Sequence, residues 1–353
     1  MSAGKVRTVL GDVEPSELGI THTHEHFLWD PARWRREAGL LQRRELQDPR
    51  SRQPLTLETY GYFGRNWTAL PDNHLLDDES LAIEEAMRFK EAGGRTLADA
   101  TNADMNRDPA ALARISKATG LHVVMGAGHY VGGSQPLDMD ERSETQIADR
   151  IAADVISGAD GTEIRSGMIG EMGMSSPMTA NERKALRAAS AAQRRTGAAL
   201  MVHPSRAESA PMEAIEVIRE AGGDLGRTIM AHVDRTLFEP NDMLTLAKTG
   251  CYLEFDLFGQ ESSHYPLAPI DMPNDAARIN HIQRLTAEGF GDKLLIAHDI
   301  CRRTSLVKYG GYGYGHILEN VVPIMRRKGM SDDQIDALLI RNPARILTLA
   351  QPS

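Results

Sequence analysis

Short apolar, β-rich runs recur along this chain, and longer Ala/Glu/Arg-rich stretches with helical punctuation separate them. Eight runs read as strands, at 19–26, 95–101, 122–128, 167–172, 198–203, 228–232, 251–256 and 294–299. Strand candidates alternating with helical patterns predict βα units and a parallel sheet. The helices carry their own start and stop signals. A helix over 78–92 runs into Gly93-Gly94, Thr179-Ala180-Asn181-Glu182 has the form of a capping box, and Ser331-Asp332-Asp333-Gln334 repeats that form. Eight such units suit an α/β fold of the (β/α)8 TIM-barrel type, with a long insertion after strand 1. No Gly-rich dinucleotide fingerprint follows any strand, which disfavours a doubly wound sheet. No linker or internal repeat divides the chain, so the expectation is a single barrel domain over residues 1–353, with a lid-like insertion at about 30–76.

Polar residues interrupt the apolar runs in one consistent place. Gly19-Ile20-Thr21-His22-Thr23-His24-Glu25-His26 puts three imidazoles on alternate positions of the first strand, where regular alternation projects them together. An H-x-H pair on a strand is a ready bidentate clamp for a cation. Further along, Glu171, His203, His232 and Asp299 each stand at the C-terminal end of a strand candidate, about one or two βα units apart. Barrel enzymes build their sites at that face. A carboxylate left dry there is costly, and a cation offsets the cost.

Composition narrows the partners. The 353 residues are 41% hydrophobic and 25% charged, enough for a large core, and a net charge of −9 supplies no basic field for nucleic acid. The first fifteen residues lack the apolar run of a signal peptide, and no stretch has the length of a membrane span. Two cysteines, Cys251 and Cys301, make no disulfide framework and read as core-lining; a cytoplasmic location is the simplest expectation.

The H-x-H pair, the strand-4 acid, the two downstream histidines and the final Asp resemble the constellation of the amidohydrolase superfamily. Within it, the chain resembles the phosphotriesterase family. The likeness rests on Gly19 to His26, on Gly93-Gly94-Arg95-Thr96-Leu97-Ala98-Asp99-Ala100-Thr101, on Ile296-Ala297-His298-Asp299 and on Asn342-Pro343-Ala344-Arg345-Ile346-Leu347. The resemblance implies two divalent metal ions, with His24, His26 and Asp299 on the more buried one, His203 and His232 on the other, and a strand-4 carboxyl group between them. Zinc is expected there, and manganese, cobalt or iron suit the same donors. Well-known members use a carbamylated lysine at the bridge; here the position carries Glu171, a shorter permanent carboxylate. Either the strand backbone comes closer or the ions sit differently, and organophosphate hydrolysis is not expected to be efficient. His22 occupies a position that is usually apolar in the family, where packing or support of a ligand is expected.

The implied chemistry is hydrolysis by a metal-bridging hydroxide, with Asp299 as the proton acceptor and later donor. The first expectation is a carboxylic ester or lactone hydrolase of the lactonase type. Alternatives are an amidase acting on an N-acyl amine with an acidic tail, or a phosphoester hydrolase; a non-catalytic binding barrel ranks last, because every metal position is filled. Tyr130, Arg235, Arg302 and Arg303 follow strands and are candidate substrate contacts: the resemblance implies that Tyr130 can touch the substrate carbonyl, as in lactonase members of the family, and guanidinium grips carboxylate, sulfonate or phosphate bidentately. Tyr309-Gly310-Gly311-Tyr312-Gly313-Tyr314-Gly315-His316 reads as a mobile final loop with aromatic rims. The insertion holds all three tryptophans, Trp29, Trp34 and Trp67, and suits a lid or a homodimer contact. It also carries Arg33, Arg35, Arg36, Arg43, Arg44, Arg50, Arg52 and Arg65, read as a solvated face with Glu37 and Glu45 as partners rather than an anion trap. The expected partner is a small-molecule substrate, with no nucleic acid and no membrane.

Overall fold

The computed structural model describes residues 3–32, 44–70, 72–262 and 265–353. Trp34, Arg33, Arg35, Arg36, Arg43 and Glu37 lie outside them, as do the side chains of Arg44 and Glu45. A short antiparallel hairpin, β1 (Val6–Thr8) and β2 (Gly11–Val13), precedes the eight strands the alternation foretold. These are β3 (Thr21–Glu25), β4 (Thr96–Asp99), β5 (His122–Met125), β6 (Met168–Gly173), β7 (Ala199–His203), β8 (Thr228–Met230), β9 (Tyr252–Phe255) and β10 (Leu294–Ile296).

Strands β3 to β5 pair in parallel, as do β6 to β10. Backbone bonds outside these ladders close the two seams. Gly167 N–H donates to Met125 C=O at 2.9 Å on one side, and Asp299 N–H donates to His24 C=O at 3.2 Å on the other. The result is a (β/α)8 TIM barrel. Its interior is filled by one set of alternating side chains, among them Ala98, Val124, Met168, Met201, Ile229 and Leu295. The opposite set, with Ile169, Leu200, Leu253, Phe255 and Ile296, packs outward against the helices.

The helices obey the signals in the sequence. Glu79–Glu91 starts with the Asp78 carboxylate accepting from Leu81 N–H and ends before Gly93, whose φ is +106°. Ala180–Thr196 and Asp332–Asp336 both begin with the foreseen capping boxes. The insertion leaves and returns through one antiparallel bridge, Trp29 to Leu76, and contains a helix over Leu57–Arg65.

Two strands break the alternation where it matters. Between His22 and Glu25, β3 advances three residues while β4 advances two, from Leu97 to Asp99. This one-residue bulge inverts the phase of the strand. The expectation that His22, His24 and His26 project together is thereby corrected. His22 packs outward against Phe89, with ring centroids 4.6 Å apart, while His24 and His26 reach the barrel mouth. The same slip occurs in β6 between Ile169 and Met172, opposite Leu200 and Val202, and it centres on Gly170-Glu171. Only glycine fits there: φ is +135°, and a Cβ on Gly170 would lie 2.6 Å from that of Met201. Across the seam, a Cβ on Gly126 would fall 2.2 Å from the Gly170 carbonyl oxygen.

Candidate metal centre and active site

Six side chains meet at the C-terminal mouth. Glu171, raised by the β6 bulge, is their hub. Its Oε2 lies 2.7 Å from His203 Nδ1, 3.3 Å from His232 Nε2 and 3.5 Å from His24 Nε2, and its Oε1 lies 3.7 Å from His26 Nε2. Asp299 completes the group, with Oδ1 at 3.2 Å from His26 Nε2 and 3.8 Å from His24 Nε2. The β8 and β10 ladders stop short of their two ligands. His232 and Asp299 follow in left-handed conformation, with φ of 55° and 51°. That turn is uncommon outside glycine, although His and Asp tolerate it better than most residues, and such outliers gather at functional sites.

Three of the four imidazoles are hydrogen-bonded through their other nitrogen, and His24 Nδ1 has only a contact there. His26 Nδ1 lies 2.8 Å from Thr101 Oγ1. Thr101 is placed by Asp99, whose carboxylate accepts from Thr101 N–H and from Phe27 N–H. Asp256, at the end of β9, serves two rings. Its Oδ1 is 2.8 Å from His232 Nδ1, and its Oδ2 makes an oblique 3.0 Å contact with His24 Nδ1. The His232 backbone N–H also donates to Asp256, which fixes that ring with Nε2 toward Glu171. Alternation alone gave no sign of Asp256, because an Asp ending a strand reads equally well as a turn residue. His203 Nε2 faces Tyr130 Oη at 3.5 Å and Arg235 Nη2 at 3.2 Å.

The charges agree with this geometry. Burial alone would raise the Glu171 carboxyl, but the facing imidazoles of His203 and His24 hold it well below the usual range. Burial pushes His203 down, with Glu171 opposing. Burial also acts downward on His232, yet the Asp256 charge carries it up to about 9. The donor set fits divalent cations. His24 Nε2 and His26 Nε2 are fully buried without a hydrogen-bond partner, and both face a carboxylate. Two imidazole pairs flank one acid, which is the arrangement of a metal centre rather than of a neutral polar network.

Above the cluster lies a pocket walled by Trp29, Trp67, Tyr130, Arg206, Arg235 and Arg302. Two of those walls, Trp29 and Trp67, come from the insertion, so it does return to the mouth. Tyr130, Arg235 and Arg302 stand where the sequence placed them. Arg303 does not: it turns to the outer surface, donating to Leu75 C=O and pairing with Asp77 at 3.0 Å. Arg302 is still extended while Arg303 opens a short 3₁₀ turn, and the two side chains leave in different directions. Arg206, which carries no signal in the sequence, lines the pocket instead. Cys251 is buried in the core, and Cys301 packs against the core from the pocket side, so both are core-lining as expected.

The model of the phosphotriesterase family matches residues 4–347. N-acetyltaurine hydrolase of Homo sapiens is 41% identical over 348 residues, covering 98% of both chains. Among solved structures, a resiniferatoxin-binding protein from Rhodobacter sphaeroides superposes with a TM-score of 0.89 at 35% identity, over 98% of this chain and 95% of its own. A lactonase from Listeria monocytogenes gives 0.81 at 27%, over 98% and 100%. With a barrel of this kind, a donor cluster at its mouth and a family match along nearly the whole sequence, the chain belongs to the phosphotriesterase family and is a metal-dependent hydrolase.

Proposed function

We propose that this enzyme hydrolyses the amide bond of a small N-acyl amine bearing an acidic tail, N-acetyltaurine being the first compound to test. The observation that carries this reading is the 41% identity, end to end, to a protein named for that reaction. The arginine-walled pocket directly above Glu171 and Asp299 supports it. His24, His26 and Asp299 would hold one divalent ion and His203 and His232 a second, with Glu171 shared. Zinc suits this mixture of imidazole and carboxylate. Such ions, when bound, lower the pKa of a coordinated water and polarise the acyl oxygen.

The chain's own residues do the rest. Asp299 is the most open of the carboxylates in the cluster, with 15% of its side chain exposed against 2% for Glu171. It is therefore the group that can take the proton of the attacking water and pass it to the departing amine nitrogen. Glu171, held ionised and enclosed by four imidazoles, stays a fixed anion. Trp29 and Trp67 form a lid that keeps bulk water from the acyl carbon. A cytoplasmic setting suits the two free thiols.

A second reading, the ester or lactone hydrolysis that the sequence placed first, is favoured by one contact. Burial, reinforced by the Glu171 charge, raises the Tyr130 hydroxyl well above its usual value. It stays a protonated donor beside His203, able to meet a lactone carbonyl. Zinc-, manganese- and cobalt-loaded protein offered N-acetyltaurine, lactones, aryl esters and phosphotriesters separates these readings. Release of taurine at the highest kcat/KM of the panel is the expected result. Lactone turnover with no amide cleavage would overturn the first reading in favour of the second.

A further inference from the structure

Buried arginines in this chain ordinarily have an acid at hand. Arg7 pairs with Asp12 at 2.9 Å, Arg107 with Asp154 at 2.9 Å and Arg278 with Asp234 at 2.6 Å. The three guanidiniums of the active-site pocket break that rule. Arg235 is 2% exposed and Arg302 is 7% exposed, and neither has a carboxylate partner among the described residues. Arg235 has only neutral partners, Pro204 C=O at 3.2 Å, Thr236 Oγ1 at 3.5 Å and the His203 ring at 3.2 Å. Arg302 lies over the Trp67 ring at 4.5 Å, its Nε buried without a hydrogen-bond acceptor. Arg206 has only a phenol: its Nε and Nη2 donate to Tyr265 Oη at 3.1 and 3.0 Å.

Unpaired buried cations are expensive, and two of them, with the half-buried Arg206 beside them on one cavity, call for an anion that is not part of the chain. Their common target can be located. Burial would raise the Tyr265 hydroxyl, yet Arg206 first, then Arg235 and Arg302, draw it below its usual value. The positive fields of all three thus converge on one oxygen, on the same cavity wall as Tyr130 and Asp299.

We propose that Arg206, Arg235 and Arg302 form the receptor for the substrate's anionic tail, with Arg206 as the residue that reads it after exchanging Tyr265 for the tail's oxygens. Three guanidiniums on different elements suit a tetrahedral sulfonate, which offers three oxygens in three directions, better than a planar carboxylate. This assignment rests on the amide reading only for the bond that is cleaved. The receptor itself follows from the unpaired cations.

The test uses ethanesulfonate, which carries the tail and no scissile bond. Calorimetric titration of the metal-loaded protein should show one binding event, tighter than for propionate and weakened by salt. Arg206→Met keeps the stem and removes the charge, and should weaken ethanesulfonate by about 10-fold or more, with Arg206→Lys recovering part of the loss. Tyr265→Phe, which frees the guanidinium, should bind at least as tightly as the natural protein. In turnover, Arg206→Met should raise KM for N-acetyltaurine at least about 10-fold more than KM for the neutral N-acetylethanolamine. Unchanged ethanesulfonate affinity in a folded Arg206→Met protein overturns the proposal, even if N-acetyltaurine is hydrolysed. Arg206-dependent binding without any amide cleavage sustains the receptor and removes the amide reading instead.

Discussion

Asp256 and His232 are joined twice, through the ring at 2.8 Å and through the His232 backbone N–H at 3.0 Å. The same carboxylate reaches His24 from its other oxygen. One acid on β9 therefore sets the direction of imidazoles from β3 and from the end of β8, and so from both halves of the donor cluster.

Asp256→Asn follows directly. An amide accepts through one atom only, so one of the two rings loses its anchor. We expect folded protein with metal content reduced and turnover lowered by about 10–100-fold. Elemental analysis after dialysis, together with kcat at saturating metal, is the check. Full metal content and unaltered kcat would show that Asp256 does not orient these rings.

Asp299→Asn should leave the melting temperature close to that of the natural protein and remove most turnover, by roughly 10²–10⁴-fold. Full activity on any substrate found would exclude Asp299 as the proton carrier. Treatment with a chelator should abolish turnover in the natural protein, and added zinc should restore it.

The Glu25–His22–His298 cluster behind the site predicts an acid-sensitive fold. Burial lowers His22 to about 4, against 6.5 when unfolded. Between those values the unfolded chain takes up a proton that the native state refuses, so stability rises with pH across that window and is lost as pH falls through it. The full effect is about 3 kcal/mol. Glu25, buried but held at about 2 by His298 and His22, loses its contribution lower still, as pH falls from 4.5 toward 2. Urea midpoints from pH 7 to pH 4, measured with chelator present, should decline in the natural protein and flatten in His22→Leu. Parallel slopes would exclude His22 as the source.

Gly170→Ala tests the β6 bulge. The added methyl meets Met201 at 2.6 Å on a backbone with φ of +135°. Destabilisation by about 1–3 kcal/mol is expected, together with loss of bound metal as Glu171 shifts. A variant that melts and binds metal normally would mean that the bulge does not depend on glycine.

Much of this was legible in the chain. Short apolar, β-rich runs between helical stretches mark all eight barrel strands, and the caps at Asp78, Thr179 and Ser331 behave as local chemistry requires. The six donors were legible because a polar residue ending an apolar strand is conspicuous. What escaped depended on the third dimension. A bulge inserts one residue without any compositional mark, so strict alternation turns His22 to the mouth, whereas it packs on Phe89. Arg206 sits in a loop like any solvated arginine, and only its neighbours reveal that it faces Tyr265. Arg302 and Arg303 are identical in sequence terms, and backbone direction alone separates them.

The left-handed turns at His232 and Asp299 have a consequence for anyone reshaping this enzyme. Glycine at either place would relax the main chain while deleting a donor, so the inactive variant gains about 1 kcal/mol from the backbone alone. Libraries sorted only by thermal tolerance will therefore drift toward dead proteins, and sound selection has to score heat resistance and catalysis in the same round.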